Sequence, residues 1–207
     1  MEGEVLRLCS SEEEGLVCFS VRSGWDLWLG AQGLWAVDEV LASAVTHPDM
    51  VRIISEHGLR AVPVDIDPGM LTPRPCMLEA DFTPRTRVVL VAHLFGGRMD
   101  LGGVAKFARE RGLLLVEDCA QAFKGLKRMG DPLADVSMYS FGTLKTSTAL
   151  GGAILRVRDR EVLDRMRWIQ ASSYPSQGRG GYLKKLLKVI GLVAVSRPDL
   201  YGLLARA

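Results

Sequence analysis

The stretch from Leu113 to Val157 most constrains what this chain can fold into. It holds three β-prone runs. Leu113 to Val116 is continuously apolar and ends in two carboxylates, Glu117 and Asp118. Val136 to Phe141 ends in a loop of small residues that carries Lys145. Gly151-Gly152 then opens a third run, Ala153 to Val157. Upstream, Asp38 to Ala44, Arg60 to Ile66 and Arg87 to Ala92 read as strands. Helical patterns separate them over Asp26 to Leu34, Met50 to His57 and Asp100 to Arg111. Such alternation implies right-handed βαβ crossovers. The fold class is therefore α/β: three layers, with a mostly parallel sheet and helices on both faces. Asp159 to Ala171 reads as a further charged, amphipathic helix.

In an open α/β sheet, ligands bind outside the carboxyl ends of the strands. Asp118 and Lys145 both belong to that edge. An acid and an amine there suit a carbonyl cofactor: the amine forms an imine, and the acid keeps a ring nitrogen protonated. That is the chemistry of pyridoxal 5'-phosphate (PLP). Alternation along a strand turns Glu117 to the face opposite Asp118, which gives it a structural role.

VEDCAQA, followed by YSFGTLKTSTALGGA, resembles the core of the DegT-type sugar aminotransferases, fold-type I PLP enzymes. DEVLASAVTHPDM, AVPVDIDP and VVLVAHLFGG fit the same pattern in the same order. The resemblance implies that Lys145 binds the cofactor as an imine and shuttles a proton, and that Asp118 pairs with the pyridinium nitrogen. It implies that Gln121 meets the ring or its 3-hydroxyl, and that Ser140 donates to the phosphate. His47 becomes the candidate to stack on the ring. Ser23 and Gly24 become a turn before a helix that holds the phosphate, with Trp25 where the family has threonine. His93 either touches the cofactor or packs beneath it. Lys145 argues against the dehydratase relatives, which carry histidine there.

The resemblance further implies an amino-acid donor such as glutamate, a nucleotide-linked keto-sugar acceptor and a homodimer. The enzymes of this family are roughly twice as long and end in a smaller, closing domain. The expected divisions are a lead-in over 1–22, a PLP-binding large domain over 23–171, and a linker with a helical segment over 172–207. A non-catalytic, dimerising PLP-binding scaffold is the alternative.

Composition narrows the remaining classes. The chain has 207 residues, 48% hydrophobic, with a net charge of +2. That balance fits a globular protein and gives no basic patch for nucleic acid. Four cysteines without metal spacing read as reduced thiols in a cytoplasmic protein. Tyr182 to Ser196 sets three lysines among apolar residues. It is expected to pack on the domain or a partner subunit; the other reading is a membrane-surface helix.

Overall fold

The structure is a computed structural model describing residues 15–123, 125, 130–145, 147–175 and 178–195. The chain divides into two compact units between Ser172 and Ser173.

The first unit is built on a seven-stranded sheet. Its strands are β1 (Gly15–Cys18), β2 (Glu39–Ser43), β3 (Arg60–Val64), β4 (Thr86–Ala92), β5 (Leu114–Asp118), β6 (Val136–Ser140) and β7 (Ala153–Val157). The order across the sheet is β1-β7-β6-β5-β4-β2-β3. Pairing is parallel from β3 through β6, whereas β7 is antiparallel to both β6 and β1. Only β7 therefore runs against the rest. Five helices go with the sheet: α1 (Val21–Gln32), α2 (Pro48–Glu56), α3 (Pro75–Asp81), α4 (Gly102–Glu110) and α5 (Arg160–Ser173), the last residue of which falls past the division.

Each strand's alternation assigns its side chains to one of two cores. Leu41, Val89, Val91 and Leu115 pack with Leu78 of α3 and with Val104 and Phe107 of α4. The opposite face meets α1, whose Gly24 lies against Leu155 of β7. Trp25 and Trp28 of α1 are fully buried and stacked, their centroids 5.4 Å apart. The Trp25 indole N–H donates to the Met50 carbonyl at 3.1 Å, tying α1 to α2. Arg165 of α5 donates to the Ala31 carbonyl at 2.9 Å, and Gln170 to Val17 at 2.9 Å.

Two expectations need correction. Residues 15–18 are not a loose lead-in. Leu16 and Cys18 are buried, and β1 pairs with β7 through the register Val17↔Ile154. A four-residue apolar run behind Glu12 to Glu14 has too little periodicity to read as a strand; distant β7 makes it one. Helix α1 also begins earlier than expected. Ser20 is its N-cap and forms a reciprocal capping box with Ser23.

The second unit contains α6 (Arg179–Val195), whose described side chains are mostly exposed. Among the described residues, no helix is long and apolar enough to cross a membrane.

Candidate active site

The register of the sheet determines which groups can meet. Ala92, Asp118, Met138, Leu155 and Leu16 form one row across five strands and share the α1 face. Ser140 lies two residues beyond Met138, so it faces the same way. Lys145 is half-buried in the loop between β6 and β7, with its N–H donating to the Gly142 carbonyl at 3.1 Å. A Cβ on Gly142 would stand 3.8 Å from the Ser140 hydroxyl and 4.0 Å from Lys145 Cγ. The absence of a side chain there leaves a small cradle between these groups.

Asp118 is buried at the end of β5, and its Oδ1 accepts the Ala120 N–H at 2.9 Å. Burial pushes its carboxyl above the ordinary value. The Ala120 hydrogen bond and the charge of Lys145 offset only part of that cost. A desolvated carboxylate within the field of a lysine is a place for a further cation.

Gln121 is exposed just beyond, and its Oε1 accepts the Phe95 N–H at 3.1 Å. Phe95 itself has φ 54, a left-handed conformation that costs a non-glycine residue on the order of 1 kcal/mol. His47 caps α2, its Nδ1 accepting the Asp49 N–H at 3.2 Å, and its ring stays exposed. Asp49 in turn pairs with Arg22 of α1 at 2.8 Å.

Ser23 and Gly24 are placed differently from expectation. Both lie inside the first turn of α1. The Ser23 N–H donates to Ser20 Oγ at 3.2 Å, and the Gly24 N–H to the Ser20 carbonyl at 3.0 Å. Neither amide is free for an anion, because the capping box recruits the preceding serine as cap. Trp25 turns into the core, which explains a tryptophan where the resembling sequences keep a hydroxyl.

On the opposite face lies a buried ion cluster. His93 Nε2 is 2.7 Å from Glu117 Oε1, and Arg98 donates to the same oxygen at 3.1 Å. Glu117 Oε2 accepts the Asp131 N–H at 2.9 Å. His93 Nδ1 accepts the Met99 N–H at 3.1 Å, which leaves the ring proton on Nε2, aimed at Glu117. Burial raises the Glu117 carboxyl, but hydrogen bonds from His93 and the Asp131 amide outweigh it and hold it at about 2. Potential ligand atoms of His93, Glu117 and Cys119 lie within 4.8 Å of one another. Arg98 repels a cation there, and burial keeps the Cys119 thiol protonated. The cluster is read as structural. Reading by sequence gave His93 and Glu117 separately and missed Arg98. The available signal was that His93 and Glu117 fall on the same face of neighbouring parallel strands.

Residues 3–192 match the DegT/DnrJ/EryC1/StrS aminotransferase family. A "Pleiotropic regulatory protein" of Geobacillus stearothermophilus is 32% identical over 165 residues, 78% of this chain and 44% of that protein. The dTDP-3-amino-3,4,6-trideoxy-alpha-D-glucose transaminase of Micromonospora megalomicea subsp. nigra is 33% identical over 160 residues, 73% of this chain and 43% of the enzyme. The crystal structure of S. venezuelae DesV in complex with a ketimine intermediate superposes with a TM-score of 0.71 at 27% identity. That match covers 86% of this chain and 48% of DesV. This chain thus spans less than half the length of these relatives. With the sheet order, the Asp118–Lys145 edge and a match over most of its residues, the chain belongs to the DegT/DnrJ/EryC1/StrS aminotransferase family.

Proposed function

We propose that this chain carries the PLP-binding part of an aminotransferase that moves an amino group from an amino acid, glutamate or a close analogue, to a nucleotide-linked keto-sugar. One observation carries the reading: a buried carboxyl, raised by desolvation, within the field of a half-buried lysine at the carboxyl edge of a parallel sheet. The donor set fits the cofactor. A protonated ring nitrogen supplies the cation that Asp118 is short of, and the gap at Gly142 admits a group between Ser140 and Lys145. PLP, when bound, supplies an aldehyde and an electron-withdrawing ring.

Asp118 orients that ring and holds the proton on its nitrogen. Lys145 Nζ would hold the cofactor at its aldehyde carbon, and the same amine would carry the proton taken from the substrate carbon. Ser140 offers its hydroxyl to the phosphate. Gln121 keeps its carboxamide turned by the Phe95 N–H, leaving its NH2 end to the ring oxygen. His47 lends a ring face. Ser23 and Gly24 contribute by shape: the capped turn lets α1 approach Leu155 closely. The sugar-nucleotide acceptor draws support from the transaminase of Micromonospora megalomicea, whose name specifies a dTDP-sugar.

The experiment is reduction with borohydride after incubation with PLP, followed by peptide mapping. The label belongs on Lys145, and label on another lysine, or none, removes the reading.

A further inference from the structure

Helix α6 belongs to the second unit and carries none of the residues assigned to the site above. Seven of its large apolar side chains are exposed, among them Leu187 at 60%, Ile190 at 56% and Val193 at 63%. At about 100° per residue, Leu183, Leu186, Leu187, Val189, Ile190 and Val193 fall within an arc of about 160°. Tyr182 joins the same arc. Between Tyr182 and Val193, Lys184, Lys185 and Lys188 occupy a separate arc of about 100°, into which Leu192 also falls. The charge is one-signed beyond the helix as well: no Asp or Glu stands between Asp164 and Asp199, where seven Lys and Arg occur.

We propose that the Tyr182–Val193 face of α6 docks in the plane of an anionic lipid bilayer. Between Tyr182 and Val193 the arc is aliphatic apart from the Tyr182 hydroxyl and offers few directional groups to read a protein surface. It suits a non-directional apolar medium. The lysines on the other arc have long apolar stems that lie along the boundary while their ammonium groups reach acidic headgroups. Three lysines within the helix are incompatible with spanning, in keeping with the absence of a crossing helix among the described residues. The apolar arc supplies depth, and the lysines supply selectivity for negative surface. This inference stands apart from the cofactor reading, since lipid binding is read without PLP.

The test is co-sedimentation of the full chain with vesicles of equal parts phosphatidylglycerol and phosphatidylcholine, against vesicles of phosphatidylcholine alone. The chain is expected to partition into the anionic vesicles and to leave them at high salt. Each lysine near an anionic surface contributes about fivefold. The triple variant K184Q/K185Q/K188Q should therefore lose about 100-fold in partitioning. Leu186→Ser with Ile190→Ser should release the chain with its lysines intact. All these positions are exposed, so the far-UV circular dichroism of the first unit should stay unchanged. Three outcomes overturn the proposal: no partitioning, equal partitioning into neutral vesicles, or binding unaffected by the lysine variant. If the chain ignores lipid but self-associates in a way that L186S/I190S abolishes, a second copy covers this face instead.

Discussion

At Asp118, stability and ligand binding pull in opposite directions. Its carboxyl is raised in the folded chain, chiefly by burial. A group raised on folding costs stability at every pH above its folded value, where it is charged, and that cost lifts on protonation. Asp118→Asn should therefore raise the urea midpoint of the cofactor-free chain at neutral pH. The same variant loses an ionic hydrogen bond to a protonated ring nitrogen, worth about 1.5–3 kcal/mol. PLP should then bind roughly 10- to 150-fold more weakly in a spectrophotometric titration, with the fold intact. Glu117, one residue earlier, has the opposite sign. Its carboxyl is held at about 2 against an ordinary 4.5. Its contribution is complete above the unfolded value and is lost as pH falls from 4.5 toward 2, on the order of 3 kcal/mol in all. Glu117→Gln should leave a chain that is weaker near pH 6 yet has a flatter acid limb; a limb as steep as wild type would remove Glu117 as its source.

Helix α1 shows how far an element can be read from its residues. Its apolar spacing was legible, and so was a turn of small residues at its start. Its first residue was not, because the capping box depends on which of two serines reaches back. Gly24 was legible as a small residue, but its reason lies across the sheet. A Cβ there would stand 2.4 Å from Cδ1 of the fully buried Leu155, which would have to shift. Gly24→Ala should cost about 1–3 kcal/mol by overpacking, read from urea unfolding. Adding Leu155→Val should recover part of it. The strands divide in the same way. β4 and β5 announce themselves as continuous apolar runs, whereas β1 has only four residues and owes its conformation to β7. Of the candidate site, Asp118 and Lys145 stand out in the sequence as an acid and an amine following two β-prone runs. The bond from the Phe95 N–H that turns Gln121 was not legible, since it joins two loops remote in sequence.

At the scale of the whole molecule, the parallel strands deliver several exposed apolar side chains to one edge. Phe19, Val45, Phe95 and Leu144 follow β1, β2, β4 and β6, and Leu144 is 98% exposed beside Lys145. Apolar side chains gathered around a candidate site mark a place for a partner, and we expect a second copy of the chain. Sedimentation equilibrium should show self-association at micromolar concentration, weakened in a Phe95→Ser, Leu144→Ser double variant; a clean monomer would count against it. The reversed strand β7 bears on the order of assembly during synthesis. Its start holds the base of the lysine loop, for Phe141 donates to the Gly152 carbonyl and Gly152 donates to the Phe19 carbonyl, each at 3.0 Å. On the ribosome, β1 emerges early, yet it finds no partner until β7 has followed β6 out of the tunnel. Pairs so distant in sequence form late. Until then the free edge of β6 is open to the wrong strand, from this chain or another. The loop bearing Lys145 takes its final shape only when β1, among the earliest strands to be translated, becomes the last to be seated.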